Sequence, residues 1–162
     1  MKLKHCVLEG ISGHEAGRQL LARIVREITG SDLPEIAVTP RGKPYFPGRP
    51  LYFSISHTPR RVFCAVSDRP VGVDAEEPDR TVNPRLADKI LSPAEYRRWL
   101  ACPDRNAALL RFWVLKEAAA KLTGEGLRGY PNHTDFSPDD PRIQIIAGCP
   151  VAVFQQEDSH AL

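Results

Sequence analysis

The apolar positions of this chain change period along its length. Between residues 14 and 29 they recur at spacings of three and four, with Leu20, Leu21, Ile24, Val25 and Ile28 in one stripe, as an amphipathic helix requires. Ser12 stands where an N-cap is needed with Glu15 three residues on, and Gly30 follows as a stop. The period then shortens in runs near 36–38, 51–56, 62–66 and 71–76, which predict strands. Turn sequences separate them at Arg41-Gly-Lys-Pro44, Thr58-Pro59 and Ser67-Asp-Arg-Pro70. From Asn83 to Leu122 the pattern is helical again. Ser92-Pro93 with Glu95 opens one helix, and residues 106–122 form the longest, closed by Thr123-Gly124. After Tyr130 comes a loop rich in Pro, Asp and Asn, then two more strand runs at 142–146 and 151–155. Helix, strands, helices, strands: this order predicts an α+β fold rather than alternating βαβ units. We read it as two similar halves, a pseudo-dimer in one chain. Each half is a long helix packed on a small, mostly antiparallel sheet, with the division at 1–79 and 80–162 and a site at the junction.

Composition narrows the setting. A chain of 162 residues, 42% hydrophobic and 26% charged, can bury its own core without staples. A net charge of +2 gives no ground for a nucleic-acid partner. Cys6, Cys64, Cys102 and Cys149 are scattered, without the close pairs that zinc needs, and fit free thiols in a reducing cytoplasm. No 18-residue apolar run predicts a membrane span, and nothing after Met1-Lys-Leu-Lys-His5 is long enough for a signal peptide. The expectation is a cytoplasmic protein without membrane contact.

Two acidic segments carry the candidate chemistry. In Val71-Gly-Val-Asp-Ala-Glu76, alternation puts Val71, Val73 and Ala75 on one strand face and Gly72, Asp74 and Glu76 on the other. Its two carboxylates then stand about 7 Å apart, within reach of one hard cation. In Phe112-Trp-Val-Leu-Lys-Glu-Ala-Ala-Ala-Lys121, Trp113, Glu117 and Lys121 share a helix face at a spacing of four. If the two faces meet, three carboxylates lie beside a lysine, a donor set for Mg²⁺ and a phosphate. Taken separately, each segment has a plainer explanation: solvated acids at a strand end, an i,i+4 ion pair, aromatics packed in a core. The turn Arg41-Gly-Lys-Pro44 and the strand end Ser54-Ile-Ser-His57 add further donors for an anion.

Together these segments resemble the 4'-phosphopantetheinyl transferase superfamily, specifically its monomeric, two-halved branch. The resemblance runs in order through Gly42-Lys-Pro44, Phe53-Ser-Ile-Ser-His57, Val71–Glu76, Trp113–Lys121 and Gly124-Glu-Gly-Leu127, over about residues 14–137. It implies transfer of the phosphopantetheine arm of coenzyme A, the co-substrate, to a serine of an acyl or peptidyl carrier protein, with release of 3',5'-ADP. By the same resemblance Asp74, Glu76 and Glu117 are the Mg²⁺ ligands, Glu117 doubles as general base, and Lys121 meets the pyrophosphate. Arg18, Lys43, Ser56 and His57 are the coenzyme A contacts, with His57 and Arg18 near the 3'-phosphate. Lys116 aligns with a family lysine. Compared with the family, the N-terminal segment is shorter by roughly a helix, and the chain stops at His160-Ala-Leu162 where one more strand is expected. Carrier proteins are acidic, so Arg60, Arg61, Arg80, Arg85, Arg97 and Arg98 are candidates for docking. The rival readings are a module that binds coenzyme A or a carrier without transfer, and a metal-dependent nucleotide hydrolase.

Overall fold

The computed structural model describes residues 1–126 and 135–156. Leu127 of the last matching segment, the loop from Tyr130 to residue 134 and the terminal His160-Ala-Leu162 lie outside them. The elements are β1 (Lys2–Val7), α1 (Gly13–Thr29), β2 (Ala37–Val38), β3 (Pro44–Tyr45), β4 (Tyr52–His57), β5 (Arg61–Ser67), β6 (Val71–Ala75), α2 (Arg85–Ile90), α3 (Pro93–Ala101), α4 (Arg105–Thr123), β7 (Ile143–Ile146) and β8 (Cys149–Gln155). The class is α+β, with small antiparallel sheets. Among the described residues no helix is long and apolar enough to cross a membrane, and all four cysteines are free.

The caps fall where the sequence puts them. The Ser12 hydroxyl accepts from the Glu15 amide at 3.1 Å, and Gly30 closes α1 in the left-handed region at φ 72°. Ser92 and Glu95 form a full capping box at the start of α3. Strand β1 has no counterpart in the sequence reading. It pairs antiparallel with β5, Lys4 opposite Cys64, as an edge strand whose Lys2 and Lys4 both reach Glu27 of α1.

Two three-stranded sheets result, in the orders β1-β5-β4 and β6-β8-β7. Helix α1 buries Ala16, Leu20, Leu21, Ile24 and Val25 against Phe53, Val62, Cys64 and Val66 of the first sheet. Helix α4 packs on the second, with Leu115, Ala118 and Ala119 in one core with Ala152. Between the sheets a third core joins Phe63 and Ala65 to Val71, Val73, Val151 and Val153. The layers therefore run helix, sheet, sheet, helix. Every residue of β6 is buried, because one of its faces meets the first sheet and the other meets α4. Strand β6 hydrogen-bonds β8 with Asp74 opposite Ala152, so a division at 79/80 leaves β6 covalently in one half and hydrogen-bonded in the other.

Candidate active site

The seam between the sheets is made by side chains. Strands β4 and β6 run side by side without a backbone ladder. Instead the Ser54 hydroxyl accepts from the Val73 amide at 3.0 Å and the Ser56 hydroxyl from the Ala75 amide at 3.3 Å. Two residues apart on β4, these hydroxyls match amides two residues apart on β6. Ser56 Oγ also donates to Asp74 Oδ1 at 2.8 Å. Its single hydrogen is thus committed to orienting that carboxylate.

Helix α4 reaches β6 because of Gly72. A Cβ there would lie 2.1 Å from the Ala118 carbonyl oxygen and 2.5 Å from the Leu122 nitrogen, so only a residue without a side chain lets the helix ride so close. Four helical residues rise about 6 Å and two strand residues about 6.6 Å, so the two elements stay in step. Lys121 Nζ meets Asp74 Oδ1 at 2.7 Å, and the Trp113 side chain lies near enough to Glu76 to favour its charged form. Glu117, midway between Trp113 and Lys121, lies in the field of both Asp74 and Glu76. Lys121 therefore crosses to the strand instead of pairing with Glu117 along the helix.

The electrostatics follow from this crowding. Burial, then the charge of Asp74, raises the pKa of the Glu117 carboxyl, and Lys121 only partly opposes the rise. The Glu117 carboxylate makes no hydrogen bond or ion pair to any described residue. Burial raises Glu76 as well, against the pull of Arg80, whose guanidinium is hydrogen-bonded to it. Among the described residues no three His, Cys, Asp or Glu side chains are grouped so as to hold one metal ion; Lys121 and Arg80 pair with Asp74 and Glu76. Asp74, Glu76 and Glu117 offer oxygen donors only, the type that a hard divalent cation takes.

The remaining predicted residues surround this centre. Lys43 packs its stem within about 3 Å of a Cβ built on Gly124 and donates to the Leu122 carbonyl at the C-terminal end of α4, and burial lowers its pKa. Arg41 pairs with Glu125 at 3.2 Å, so the whole Arg41–Pro44 turn is latched to that helix end. Lys43, Phe53, Ser54, Glu117 and Lys121 line a cleft of about 290 Å³. His57 is exposed at the end of β4, beneath the start of α1, where a Cβ on Gly13 would come within 2.9 Å of its ring. Arg18 is exposed on α1 and unpaired with any described residue. Neither lines that cleft. Lys116 turns away from Glu117 and forms a fully buried ion pair with Glu95 at 2.8 Å.

The nearness of Trp113 to Glu76 and the pairing of Arg80 with it were not read from the sequence, where Trp113 has a packing role and Arg80 a docking one. The shared face of Trp113, Glu117 and Lys121 was the signal available for the first. Of the other arginines expected at a docking surface, Arg60 and Arg61 are likewise occupied, by Glu77 and Asp79.

Comparison with known proteins gives the family. The family model described as the 4'-phosphopantetheinyl transferase superfamily matches residues 70–158, which includes β6 and α4. The chain belongs to that superfamily. A 4'-phosphopantetheinyl transferase of Bacillus subtilis is 38% identical over 90 residues, 53% of this chain and 39% of the relative. The 4'-phosphopantetheinyl transferase AcpT of Escherichia coli (strain K12) is 38% identical over 114 residues, 67% of this chain and 56% of the relative. The 4'-phosphopantetheinyl transferase HetI of a Nostoc species is 32% identical over 122 residues, covering 69% and 52%. The chain thus spans about half the length of the superfamily members it matches.

Proposed function

We propose that this protein transfers the 4'-phosphopantetheine arm of coenzyme A to a serine of an acyl or peptidyl carrier protein and releases 3',5'-ADP. The observation that carries the reading is the crossing of α4 over Gly72, which brings Glu117 and Lys121 to Asp74 and Glu76 from a segment 40 residues away. In the reaction the serine Oγ forms a bond to the phosphorus that bears the pantetheine arm. The bond from that phosphorus to the bridging diphosphate oxygen breaks, and 3',5'-ADP leaves with the electron pair. Charge builds on phosphate oxygens throughout, so the site must supply positive groups already in place. Asp74, Glu76 and Glu117 would hold Mg²⁺, which supplies charge neutralisation at the diphosphate when bound.

The chain's own groups do the rest. Lys121 and Lys43, which both line the cleft, meet the diphosphate as point charges and stabilise the departing 5'-phosphate of 3',5'-ADP. Glu117, with its raised pKa and unpaired oxygens, takes the serine proton. Ser56 acts by orienting Asp74, while His57 and Arg18 extend the cationic track toward the 3'-phosphate. We read the chain as two similar halves, 1–79 and 80–162, with β6 of the first joining the sheet of the second and the site lying on their seam. Such a chain needs no second copy and works as a cytoplasmic monomer, with neither nucleic acid nor membrane as partner.

The test incubates the protein with coenzyme A, Mg²⁺ and a panel of apo-carrier proteins from fatty acid, polyketide and peptide synthesis, with intact-mass detection. A carrier that gains the phosphopantetheine mass supports the reading. A panel in which every carrier keeps its apo mass overturns it, and coenzyme A binding by calorimetry then identifies a module that binds without transfer.

A further inference from the structure

Glu76 and Glu77 are neighbours in sequence but face opposite ways at the end of β6. Glu76 turns toward Trp113 and Arg80. Glu77, whose side chain is 5% exposed, turns toward the β4–β5 hairpin and joins a buried polar knot. Thr58 Oγ1 donates to its Oε1. Arg60 Nη2 and Arg61 Nη1 reach Oε2 at 2.7 and 2.9 Å, and the Cys149 thiol at the start of β8 lies 3.7 Å away. Thr58 is itself the pivot of its turn: its amide donates to the Arg61 carbonyl at 2.8 Å, and its hydroxyl accepts from the Arg61 amide at 3.0 Å.

The knot joins the residues that follow the two ends of the site. Thr58 follows His57, and Glu77 follows Glu76, so holding 58 to 77 sets the spacing of 57 and 76. The two ends are unequally supported. Glu76 keeps Arg80, Trp113 and a backbone bond to the Pro150 carbonyl at 3.3 Å. His57 leans on Gly13, pairs with Val62 at the last position of the β4–β5 ladder and continues directly into the Thr58 turn. That last position opens with the turn, so loosening the knot frees the His57 end first. Arg61, whose buried Nε already lacks a hydrogen-bond partner, would be left short of its counter-charge and drive that rearrangement.

We propose that Glu77 is a positioning residue for the coenzyme A end of the site, acting through Thr58 and the turn to Arg61 on His57. The inference rests on the transferase reading and adds to it a residue outside the cleft that sets affinity for the co-substrate. Its signature is a split: Kd and KM for coenzyme A change while kcat at saturating coenzyme A stays near the wild-type value, because Glu76, Glu117 and Lys121 keep their own supports.

The experiment measures coenzyme A binding by calorimetry and transfer kinetics in the full chain, for wild type, Glu77→Gln, Thr58→Val, the double variant and Thr58→Ser. Both single variants are expected to raise Kd by about tenfold, the scale of lost outer support in a binding site. The double variant should add little to either, and Thr58→Ser, which keeps the hydroxyl, should restore binding. If Glu77→Gln fails to fold, Thr58→Val carries the same prediction with the charges left intact. Wild-type Kd in the folded variants overturns the inference and leaves the transferase reading standing, and so does a loss confined to kcat. A wild-type chain that neither binds coenzyme A nor modifies a carrier overturns the transferase reading, and this inference with it.

Discussion

Glu117 is the residue most at odds with its surroundings. Burial and the charges of Asp74 and Glu76 lift its pKa above the ordinary 4.5. A carboxyl with a raised native pKa holds its proton more firmly folded than unfolded, so stability declines as pH rises from about 4.5 through the native value. Its ionised form is thus a destabilising load on the fold. Glu117→Gln is therefore expected to raise Tm at pH 7 and to flatten the decline in stability above pH 5. The same change should lower phosphopantetheine transfer by about 10²-fold or more, the usual worth of a positioned base. Thermal melts across pH and single-turnover transfer check the two halves, and a lower Tm or unchanged transfer contradicts the assignment.

The decisive contact between elements is α4 on β6, and it depends on the missing side chain of Gly72. Gly72→Ala puts a methyl against the Ala118 carbonyl, which backbone on both sides cannot yield without separating helix from strand. Overpacking of this kind costs about 1–3 kcal/mol, and here the displaced atoms also carry Glu117 and Lys121. Urea unfolding should show a lower midpoint and transfer should be lost, whereas an unchanged midpoint would mean that the helix does not ride on the strand. The sequence made much of this scale legible. Periodicity located α1, α4 and most strands within one or two residues, since each packs a regular apolar face, and the face shared by Trp113, Glu117 and Lys121 was visible from their spacing. Strand β1 escaped because Lys2, Lys4 and His5 interrupt the apolar alternation that Leu3 and Cys6 would otherwise show. The cross-element pairs escaped for another reason: nothing local to Lys121 says that it will leave Glu117 for Asp74, or that Lys116 will bury itself against Glu95. Those choices are made by Gly72 and by the Phe136 segment, whose amide also donates to Glu95 at 2.8 Å.

At the scale of the whole molecule, two carboxylates tie layers together and titrate in acid. Burial pushes Glu77 up, but hydrogen bonds from Arg60 and Thr58 and the charges of Arg60 and Arg61 outweigh it and hold the group down at about 2. Hydrogen bonds from Lys2 and then Lys4 hold Glu27 at about 2 as well. Both pKa values lie below the unfolded 4.5, so their contribution is complete above that pH and is lost as pH falls toward 2. The two differ in exposure, 33% for Glu27 and 5% for Glu77. Acid unfolding followed by circular dichroism should therefore have a salt-sensitive part from Glu27, screened at 1 M salt, and a salt-resistant part removed by Glu77→Gln. An acid transition that high salt erases entirely would place the stabilisation at the surface instead.

The hydroxyl rungs of Ser54 and Ser56 have a wider consequence. A backbone ladder tolerates almost any side chain short of proline, whereas a seam stitched by two serines is written in the gene at two codons. Its tightness can drift independently of the strands on either side. Selection thus has a dial for how firmly the two sheets grip whatever lies between them, set apart from the residues that handle the substrate.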